Sequence, residues 1–315
     1  MRTSGLRIVF FGTPEFAAYI LRELVGRGEE IVSVVTTPPK LSGRGMKLHR
    51  SSVEETAMEL NIPVLTPAKH RDPEFLEQLR RLNADVFVVV AYKILPKEVF
   101  TIPRLGAFNI HASLLPKYRG AAPINWAIIR GEKETGITTF LLDEKVDTGK
   151  ILLAKSIPIG PDETAGELHD RLMVLGADAA LETLHGLADG TLHPVDQPSG
   201  FATNAPKIFP KDCIVNFNQP VDQVHNFIRG LSPYPAAYTE VSGHHLKLLR
   251  SHIAPDAPQG ILPGAFRISE DSKRIFFGTS TDALEITELQ REGKRAMSTE
   301  EFLRGNAALF HLPNS

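Results

Sequence analysis

The sequence has 315 residues, of which 42% are hydrophobic and 23% charged, and its formal net charge is −2. These values are typical of a globular protein large enough for two domains, and they exclude nucleic-acid binding through a global basic field. The single cysteine, Cys213, excludes an internal disulfide, and the longest apolar run, residues 86–92, is too short to span a bilayer. Because the N-terminal run also lacks the length and cleavage site of a signal peptide, we expect a cytoplasmic protein without a membrane partner.

The first part of the chain alternates between apolar strands and amphipathic helices. Continuous apolar runs are typical of parallel strands that are buried on both faces. Helix starts are indicated by Pro14, by Ser51 or Ser52, and by Asp72 with Pro73. The predicted strands span residues 6–11, 31–37, 64–65, 85–92 and 107–111. This alternation predicts a Rossmann-like, doubly wound α/β sheet that is mostly parallel, and such sheets bind ligands at the carboxyl ends of their strands.

The rest of the chain completes this pattern and then changes character. We predict helices over residues 124–129 and 164–187 and strands over 137–142 and 151–159. After a helix over residues 221–231, short strands alternate with glycine and charged turns, at 237–241, 246–249, 264–268, 274–277 and 284–289. Such strands predict a smaller C-terminal β-barrel of the OB-like class. The predicted organisation is a first domain over 1–190, a linker over 191–208 and the barrel over 209–315.

The end of the strand at residues 107–111 carries the strongest candidate for chemistry. Asn109 and His111 are two residues apart, so their side chains lie on the same face of the strand. An amide donor and an imidazole placed there could hold a carbonyl oxygen and move a proton. A histidine near a strand end is usually structural, but the residues that follow His111 turn away at once and leave a concave strand end. Asp147 lies in an Asp-Thr-Gly turn that is either ordinary turn chemistry or a carboxylate returning beside His111.

Several other kinds of site are excluded by the residues present. The first strand leads to Gly12 and Pro14 but not to a G-x-G-x-x-G fingerprint, so we expect no nicotinamide cofactor. We expect no metal site, because the eleven histidines are scattered, no H-E-x-x-H or C-x-x-C occurs, and His244 and His245 fall in a predicted turn. No G-x-S-x-G nucleophile elbow is present.

A basic segment follows the second strand. Lys40, Arg44, Lys47 and Arg50 occur there without an acidic residue between them. Such a run is often a solvated face, but this one is long for a strand-to-helix connection and starts on the expected ligand side of the sheet. Contact with phosphate groups is therefore a second interpretation.

The motifs of this chain resemble those of the folate-dependent formyltransferases. The resemblance rests on FNIHASLLPKYRGAAP at residues 108–123, on ETGIT and VDTG after it, and on RIVFFGTPEFA, SGRGMK, ADVFVVVAYKILP and KRAMS elsewhere. These motifs are spread over nearly the whole chain, and their residues are similar to those of the branch that formylates methionyl-tRNA. One departure is the segment AYKILP, which is one residue shorter than the family's usual AYG-x-I-L-P.

The resemblance implies a function and a set of site residues. It implies transfer of a formyl group from 10-formyltetrahydrofolate, as co-substrate, to the α-amine of initiator methionyl-tRNA. The first domain would be catalytic, and the second would bind tRNA in a protein that we expect to be a monomer. The residues carried over are Asn109, His111 and Asp147 for catalysis, Ser113, Leu114, Leu115, Pro116, Tyr92 and Ile94 for folate, and Lys40, Arg44 and Lys47 for tRNA.

Two alternatives to this function stay open at the level of sequence. A sugar-nucleotide N-formyltransferase would use the same folate donor and a similar N-x-H pattern, although the long basic segment favours tRNA. A non-catalytic RNA-binding protein on a Rossmann-like scaffold would lack a use for Asn109, His111 and Asp147. Fold alone does not decide between them.

Overall fold

A computed structural model describes residues 3–42 and 47–306 of the chain. The contacts group the chain into two compact units. The first consists of Met1–Gly120, Gly136–Ile157 and His169–Asn204, and the second of Ala121–Thr135, Pro158–Leu168 and Ala205–Ser315. The predicted division into 1–190, 191–208 and 209–315 stays a prediction about the domains of this protein.

A seven-stranded sheet forms the centre of the first unit. Its strands are β1 (Arg7–Gly12), β2 (Glu30–Val35), β5 (Val64–Leu65), β6 (Val86–Val90), β7 (Ala107–His111), β8 (Glu134–Leu141) and β9 (Ile151–Pro158). The strand order is β5-β2-β1-β6-β7-β8-β9, with parallel pairing from β5 to β7 and antiparallel pairing between β7 and β8. All five residues of β6 are buried, as expected for the most apolar strand at the middle of a parallel sheet. The predicted Rossmann-like, mostly parallel sheet is confirmed.

Helices pack beside the sheets, and a polar side chain caps the first turn of some of them. The helices are α1 (Glu15–Gly26), α2 (Ser52–Glu59), α3 (Pro73–Arg81), α4 (Lys97–Phe100), α5 (Pro123–Ile129), α6 (Ala165–Asp189), α7 (Val221–Leu231) and α8 (Thr299–Asn306). Ser51 caps α2 by accepting a hydrogen bond from the backbone N–H of Glu54 at 3.0 Å. Pro14 precedes α1 as its N-cap residue, one position before the predicted start. Within the described parts of the chain, no helix has both the length and the apolar character that crossing a bilayer requires.

The second unit contains an antiparallel sheet of the predicted OB-like class. Its strands are β10 (Ala237–Val241), β11 (His244–His252), β12 (Phe266–Ile268), β13 (Ile275–Gly278), β14 (Ala283–Arg291) and β15 (Met297–Ser298), in the order β10-β11-β14-β13-β12 with β15 on β14. Two register shifts between β11 and β14, around Arg250, are bulges that help to curl the sheet. The apolar face of α7 packs into the core of this unit, where Phe217 stacks on Phe277 with ring centroids 5.1 Å apart.

Two local expectations were wrong. His244 and His245 do not lie in a turn but begin β11, because Ser242 and Gly243, both at positive φ, make the two-residue turn that joins β10 to β11. The basic segment, expected to be only a long strand-to-helix connection, contains two further strands, since β3 (Lys40–Ser42) and β4 (Lys47–His49) pair in antiparallel fashion.

Candidate active site

Strand β7 presents Asn109 and His111 at the edge of the sheet where the parallel strands end. In this strand Asn109 lies beside Val89 of β6 and opposite Phe140 of β8, and His111 lies opposite Thr138. The chain then leaves the sheet and turns at residues 115–118. The two side chains therefore share one face of a central strand, held by hydrogen-bonded neighbours on both sides.

His111 is buried, and each of its ring nitrogens has a defined neighbour. Its Nε2 lies 2.8 Å from the carbonyl oxygen of Tyr118. A carbonyl oxygen only accepts hydrogen bonds, so Nε2 carries a proton and donates it there. The ring also meets the edge of Phe140, with centroids 6.5 Å apart and planes at 82°. Nδ1 is thus the nitrogen that can take up or release a proton.

Asp147 lies beside that second nitrogen. Its Oδ2 is 3.9 Å from His111 Nδ1, and only 14% of the Asp147 side chain is exposed. The same Oδ2 accepts a hydrogen bond from the backbone N–H of Gly120 at 2.8 Å. A carboxylate held in this position balances a positive charge on the imidazole while a proton is transferred.

The backbone around His111 is held in an uncommon conformation. Tyr118, which accepts from Nε2, has φ +61°, and Asp147, which faces Nδ1, has φ +55°. A residue other than glycine in this region costs of order 1–3 kcal/mol, and such strain is concentrated at functional sites. The turn after Asp147 requires glycine for a different reason, because a Cβ at Gly149 would lie 1.7 Å from the carbonyl oxygen of Leu141.

The side-chain amide of Asn109 has no hydrogen-bond partner among the residues that the structure describes. The residue is half-buried on the same face as His111. Amides at this depth are normally paired, so an unpaired one at a strand end is available to a ligand. The arrangement offers an amide donor, a histidine that moves a proton through Nδ1 and a carboxylate that holds the histidine. In residues 3–42 and 47–306, no cluster of histidine, cysteine or acidic side chains could hold a metal ion.

Comparison with known proteins identifies the family of this chain. Residues 6–184 match the formyl transferase family, and residues 207–307 match the formyl transferase C-terminal domain. The chain is 43% identical over 314 residues to a methionyl-tRNA formyltransferase of Bacteroides thetaiotaomicron, covering 97% of each protein. It is 47% identical over 304 residues to one of Geobacter sulfurreducens, covering 96% of this chain and 94% of the relative. The chain belongs to the methionyl-tRNA formyltransferase family.

Solved structures share the fold of this methionyl-tRNA formyltransferase family member at much lower identity. A sugar 3N-formyltransferase, WlaRD, solved with dTDP and 5-N-formyl-THF, has a TM-score of 0.67 at 20% identity, covering 92% of this chain and 99% of its own. HypX from Aquifex aeolicus, solved with tetrahydrofolic acid, has a TM-score of 0.65 at 18% identity. The match covers 95% of this chain but only 47% of HypX.

The predicted folate segment forms a tight turn beyond His111. Ser113 is fully buried and its hydroxyl donates to the carbonyl oxygen of Lys117 at 2.7 Å, so that this hydroxyl is already used within the turn. The hydroxyl of Thr138 donates to the carbonyl of Ser113 and accepts from the N–H of Leu115, before a cis bond leads to Pro116. Leu114 is the half-buried member of the segment. Contact of folate with Ser113, Leu114, Leu115 and Pro116 stays a prediction.

Tyr92 and Ile94, the other two residues predicted to contact folate, follow the end of β6. The Tyr92 hydroxyl lies 3.0 Å from His70 Nε2, and the tyrosine ring packs against Phe11. Ile94 is 74% exposed beside a shallow cavity of about 420 Å³, lined also by Lys69, His70, Arg71 and Pro96. The two residues thus differ, because the side chain of Tyr92 is held by neighbouring side chains whereas that of Ile94 is exposed.

Burial makes the phenol of Tyr92 harder to ionise than an exposed tyrosine. Burial raises the pKa of Tyr92 to about 12, whereas burial and, secondarily, the charge of Lys93 lower the pKa of His70. Tyr92 loses its proton near pH 10 in the unfolded chain, so stability falls as the pH rises from about 10 to about 12. An absorbance titration should show a tyrosine step near pH 12 that Tyr92→Phe removes. If the variant retains that step, the phenol that titrates late is a different one.

The predicted tRNA-binding residues lie in or between two short strands. Lys40 begins β3 and Lys47 begins β4, and Arg44 lies outside the described residues. Arg50, which follows β4, pairs with Glu54 at 3.2 Å. A role in tRNA binding for Lys40, Arg44 and Lys47 stays a prediction.

Sequence reasoning missed the partners that fix His111 and Asp147. Tyr118 acts through its carbonyl and Gly120 through its N–H, and a backbone group carries no side-chain signature in a sequence. Gln197 was also missed, because it lies among prolines and glycines that predict a linker. Its side chain instead binds the turn at Asp147, as described below.

Proposed function

We propose that this chain transfers the formyl group of 10-formyltetrahydrofolate to the α-amino group of methionyl initiator tRNA. The proposal is supported by the family and, above all, by one observation: His111 is held between the Tyr118 carbonyl and the Asp147 carboxylate beside an unpaired Asn109 amide. The products are N-formylmethionyl-tRNA, used to start translation, and tetrahydrofolate. The proposal includes a monomeric protein working in the cytoplasm.

The reaction requires a neutral amine to attack the formyl carbon. Free α-amino groups titrate near 7.7 to 8.0, so roughly a tenth is already neutral at pH 7 and no strong base is needed before attack. A bond forms between the amine nitrogen and the formyl carbon, and the bond from that carbon to N10 of the folate breaks. The proton released by the attacking nitrogen ends on N10. No covalent enzyme intermediate is needed, and no nucleophilic side chain is assigned to the site.

The three catalytic residues act on the tetrahedral intermediate. The Asn109 amide donates to its oxygen, on which negative charge develops, and such a donor is typically worth 10²- to 10³-fold in rate. His111 takes the proton from the attacking nitrogen at Nδ1 and delivers it to N10, while its Nε2–H stays on the Tyr118 carbonyl. Asp147, held by the Gly120 N–H, keeps Nδ1 oriented toward the reacting atoms and balances the charge of the imidazolium.

Binding of tRNA is assigned to a different set of residues. Lys40, Arg44 and Lys47 form a cationic segment that would contact phosphate groups of the acceptor stem, together with the OB-like unit. Because the chain as a whole is nearly neutral, this contact is local, and salt should weaken binding steeply. Folate contact is proposed for the residues that the resemblance implies, Ser113, Leu114, Leu115, Pro116, Tyr92 and Ile94.

The acceptor is tested by single-turnover transfer from 10-formyltetrahydrofolate. Charged initiator tRNA and a UDP-amino sugar are offered side by side to the same enzyme preparation, with uncharged initiator tRNA as the control that lacks the amine. We expect transfer to the charged tRNA alone, because an aminoacyl ester supplies the neutral amine and the tRNA supplies phosphates to the cationic segment.

The other outcomes of this experiment each contradict a defined part of the proposal. Transfer only to the sugar would retain the folate donor and the site but replace the acceptor. Transfer to neither acceptor, with binding of tRNA intact, would make the protein an RNA-binding module without formyltransferase activity.

Arg44→Ala should reduce transfer to tRNA and spare slow hydrolysis of the folate, and equal loss of both activities would exclude a tRNA-specific role for Arg44.

A further inference from the structure

Residues 195–204, within the segment predicted as a linker, form a strap along the first unit. At its start, Val195 and Ile151 exchange two backbone hydrogen bonds, of 2.8 and 2.9 Å. At its end, Thr203 accepts from the N–H groups of Tyr118 and Arg119, through its hydroxyl and its carbonyl, at 2.9 Å each. The strap is therefore fastened both to the strand after the Asp147 turn and to the turn that contacts His111.

Gln197 lies between these two anchors and uses its whole side-chain amide. Its Nε2 donates to the carbonyl oxygens of Asp147 and Gly149, at 2.9 and 2.8 Å. Its Oε1 accepts from Nε and Nη2 of Arg119, at 3.1 and 2.5 Å. One half-buried side chain thereby joins the turn that carries Asp147 to the residue that lies between Tyr118 and Gly120.

These bonds close a circuit around His111. The Gly120 N–H holds the Asp147 carboxylate, the Arg119 side chain holds Gln197, and Gln197 holds the backbone of Asp147. The circuit includes both residues at positive φ, Tyr118 directly before Arg119 and Asp147 itself. A residue in this region of φ/ψ space persists only when its surroundings fix it, and Gln197 supplies such contacts to the backbone of Asp147 and to the side chain of Arg119.

We propose that Gln197 is a positioning residue for formyl transfer, which keeps the Asp147 carboxylate and the Tyr118 carbonyl in place on the two nitrogens of His111. The inference rests on the proposed function, because it assigns Gln197 to the same three catalytic residues. Gln197 contacts no reacting atom and acts through the backbone of Asp147 and through Arg119. Its loss lets both partners of His111 drift, and a displacement of about 1 Å in such a site can cost 10²-fold in rate.

The inference is tested first with Gln197→Met, which keeps the length of the side chain and removes its donors and its acceptor. We expect kcat to fall about 10- to 100-fold, with KM for folate and for tRNA each within about threefold. Asp196→Asn is the matched control, because Asp196 is the exposed neighbour on the same strap and, among the residues that the structure describes, forms an ion pair with Lys150 alone, at 3.5 Å. The control should retain wild-type kcat. Gln197→Glu, which keeps the acceptor for Arg119 and loses the amide donors, is the second variant if Gln197→Met does not fold.

A double-mutant cycle separates positioning from general damage to the fold. If Gln197 acts through Asp147, then Gln197→Met in an Asp147→Asn background should cost no more than about a further twofold in kcat. Independent losses that multiply in the double variant would overturn the inference. An unchanged kcat in Gln197→Met alone would overturn it as well.

Amide hydrogen exchange gives a readout that does not depend on activity. The Gly120 N–H, which donates to the Asp147 carboxylate, should exchange at least tenfold faster in Gln197→Met than in wild type. Its exchange rate should be unchanged in Asp196→Asn. Equal amide exchange in all three proteins would overturn the positioning role of Gln197, even if their rates of formyl transfer differ. If the wild-type protein transfers no formyl group, the proposed function fails, and exchange alone then decides whether Gln197 holds the turn.

Discussion

Replacing His111 by alanine is expected to lower the rate of formyl transfer by about 10²- to 10⁴-fold, the usual contribution of general acid–base catalysis. The imidazole is the one titratable group in contact with both the Tyr118 carbonyl and the Asp147 carboxylate, within the described part of the site. Without it, water must carry the proton from the attacking nitrogen to N10, and Asp147 faces a gap. Single-turnover transfer to charged initiator tRNA, with folate saturating, measures the effect on the chemical step.

The control for this variant is His193→Ala, which removes an exposed histidine from the same unit. Both variants should bind folate within about threefold of wild type and should keep its far-ultraviolet circular dichroism spectrum. His111 is buried against Phe140, so its removal also leaves a small cavity, and thermal unfolding of both variants shows how much of the loss is structural. A rate for His111→Ala within a few-fold of wild type would exclude His111 as the proton carrier.

The arrangement of the sheet could be predicted because burial leaves a clear pattern in the sequence. β6 is five apolar residues in a row, four of them valine, and such a β-branched run is typical of a parallel strand that is buried on both faces. The start of the helix at Pro73 was predicted from a different signal, the cap residue Asp72, which accepts a hydrogen bond from the N–H of Glu74 in the first turn. The hairpin of β3 and β4 was not predicted, because two strands of three residues with lysines at their starts have no apolar alternation to reveal them.

The candidate site was predictable only in part. Side chains at a strand spacing could be paired from the sequence, whereas backbone groups and contacts between distant positions could not. Asn109 and His111 could be paired from their spacing, since the period of a strand puts them on one face. The position of Asp147 followed from resemblance and not from spacing, because its turn has the composition of any solvated turn. Tyr118 and Gly120 act through backbone atoms that every residue possesses, and Gln197 reaches Asp147 across 50 positions of sequence. Contacts of these kinds become visible only when the chain is folded.

Asn109 should show the second large effect, through the negative charge of the tetrahedral intermediate. Asn109→Ala is expected to lower kcat by about 10²- to 10³-fold, the usual cost of losing one donor to an oxyanion, with a smaller change in KM. The reason is that the amide is unpaired among the described residues, so that its bond to the oxygen is gained in the transition state and replaces no bond within the protein. Single-turnover transfer again measures the effect, beside folate binding at equilibrium.

Asn109→Asp makes this prediction specific to the oxyanion. The side chain keeps its size and its place on β7, loses its donors and adds a negative charge on the face that it shares with His111. If the amide stabilises negative charge, the aspartate repels it, and the loss of kcat should be at least as large as in Asn109→Ala. If the amide served only to position folate, both variants would instead raise KM for folate and leave kcat near wild type. An aspartate variant that is faster than the alanine variant would contradict the oxyanion role, because a carboxylate has no means of helping an oxygen that becomes negative.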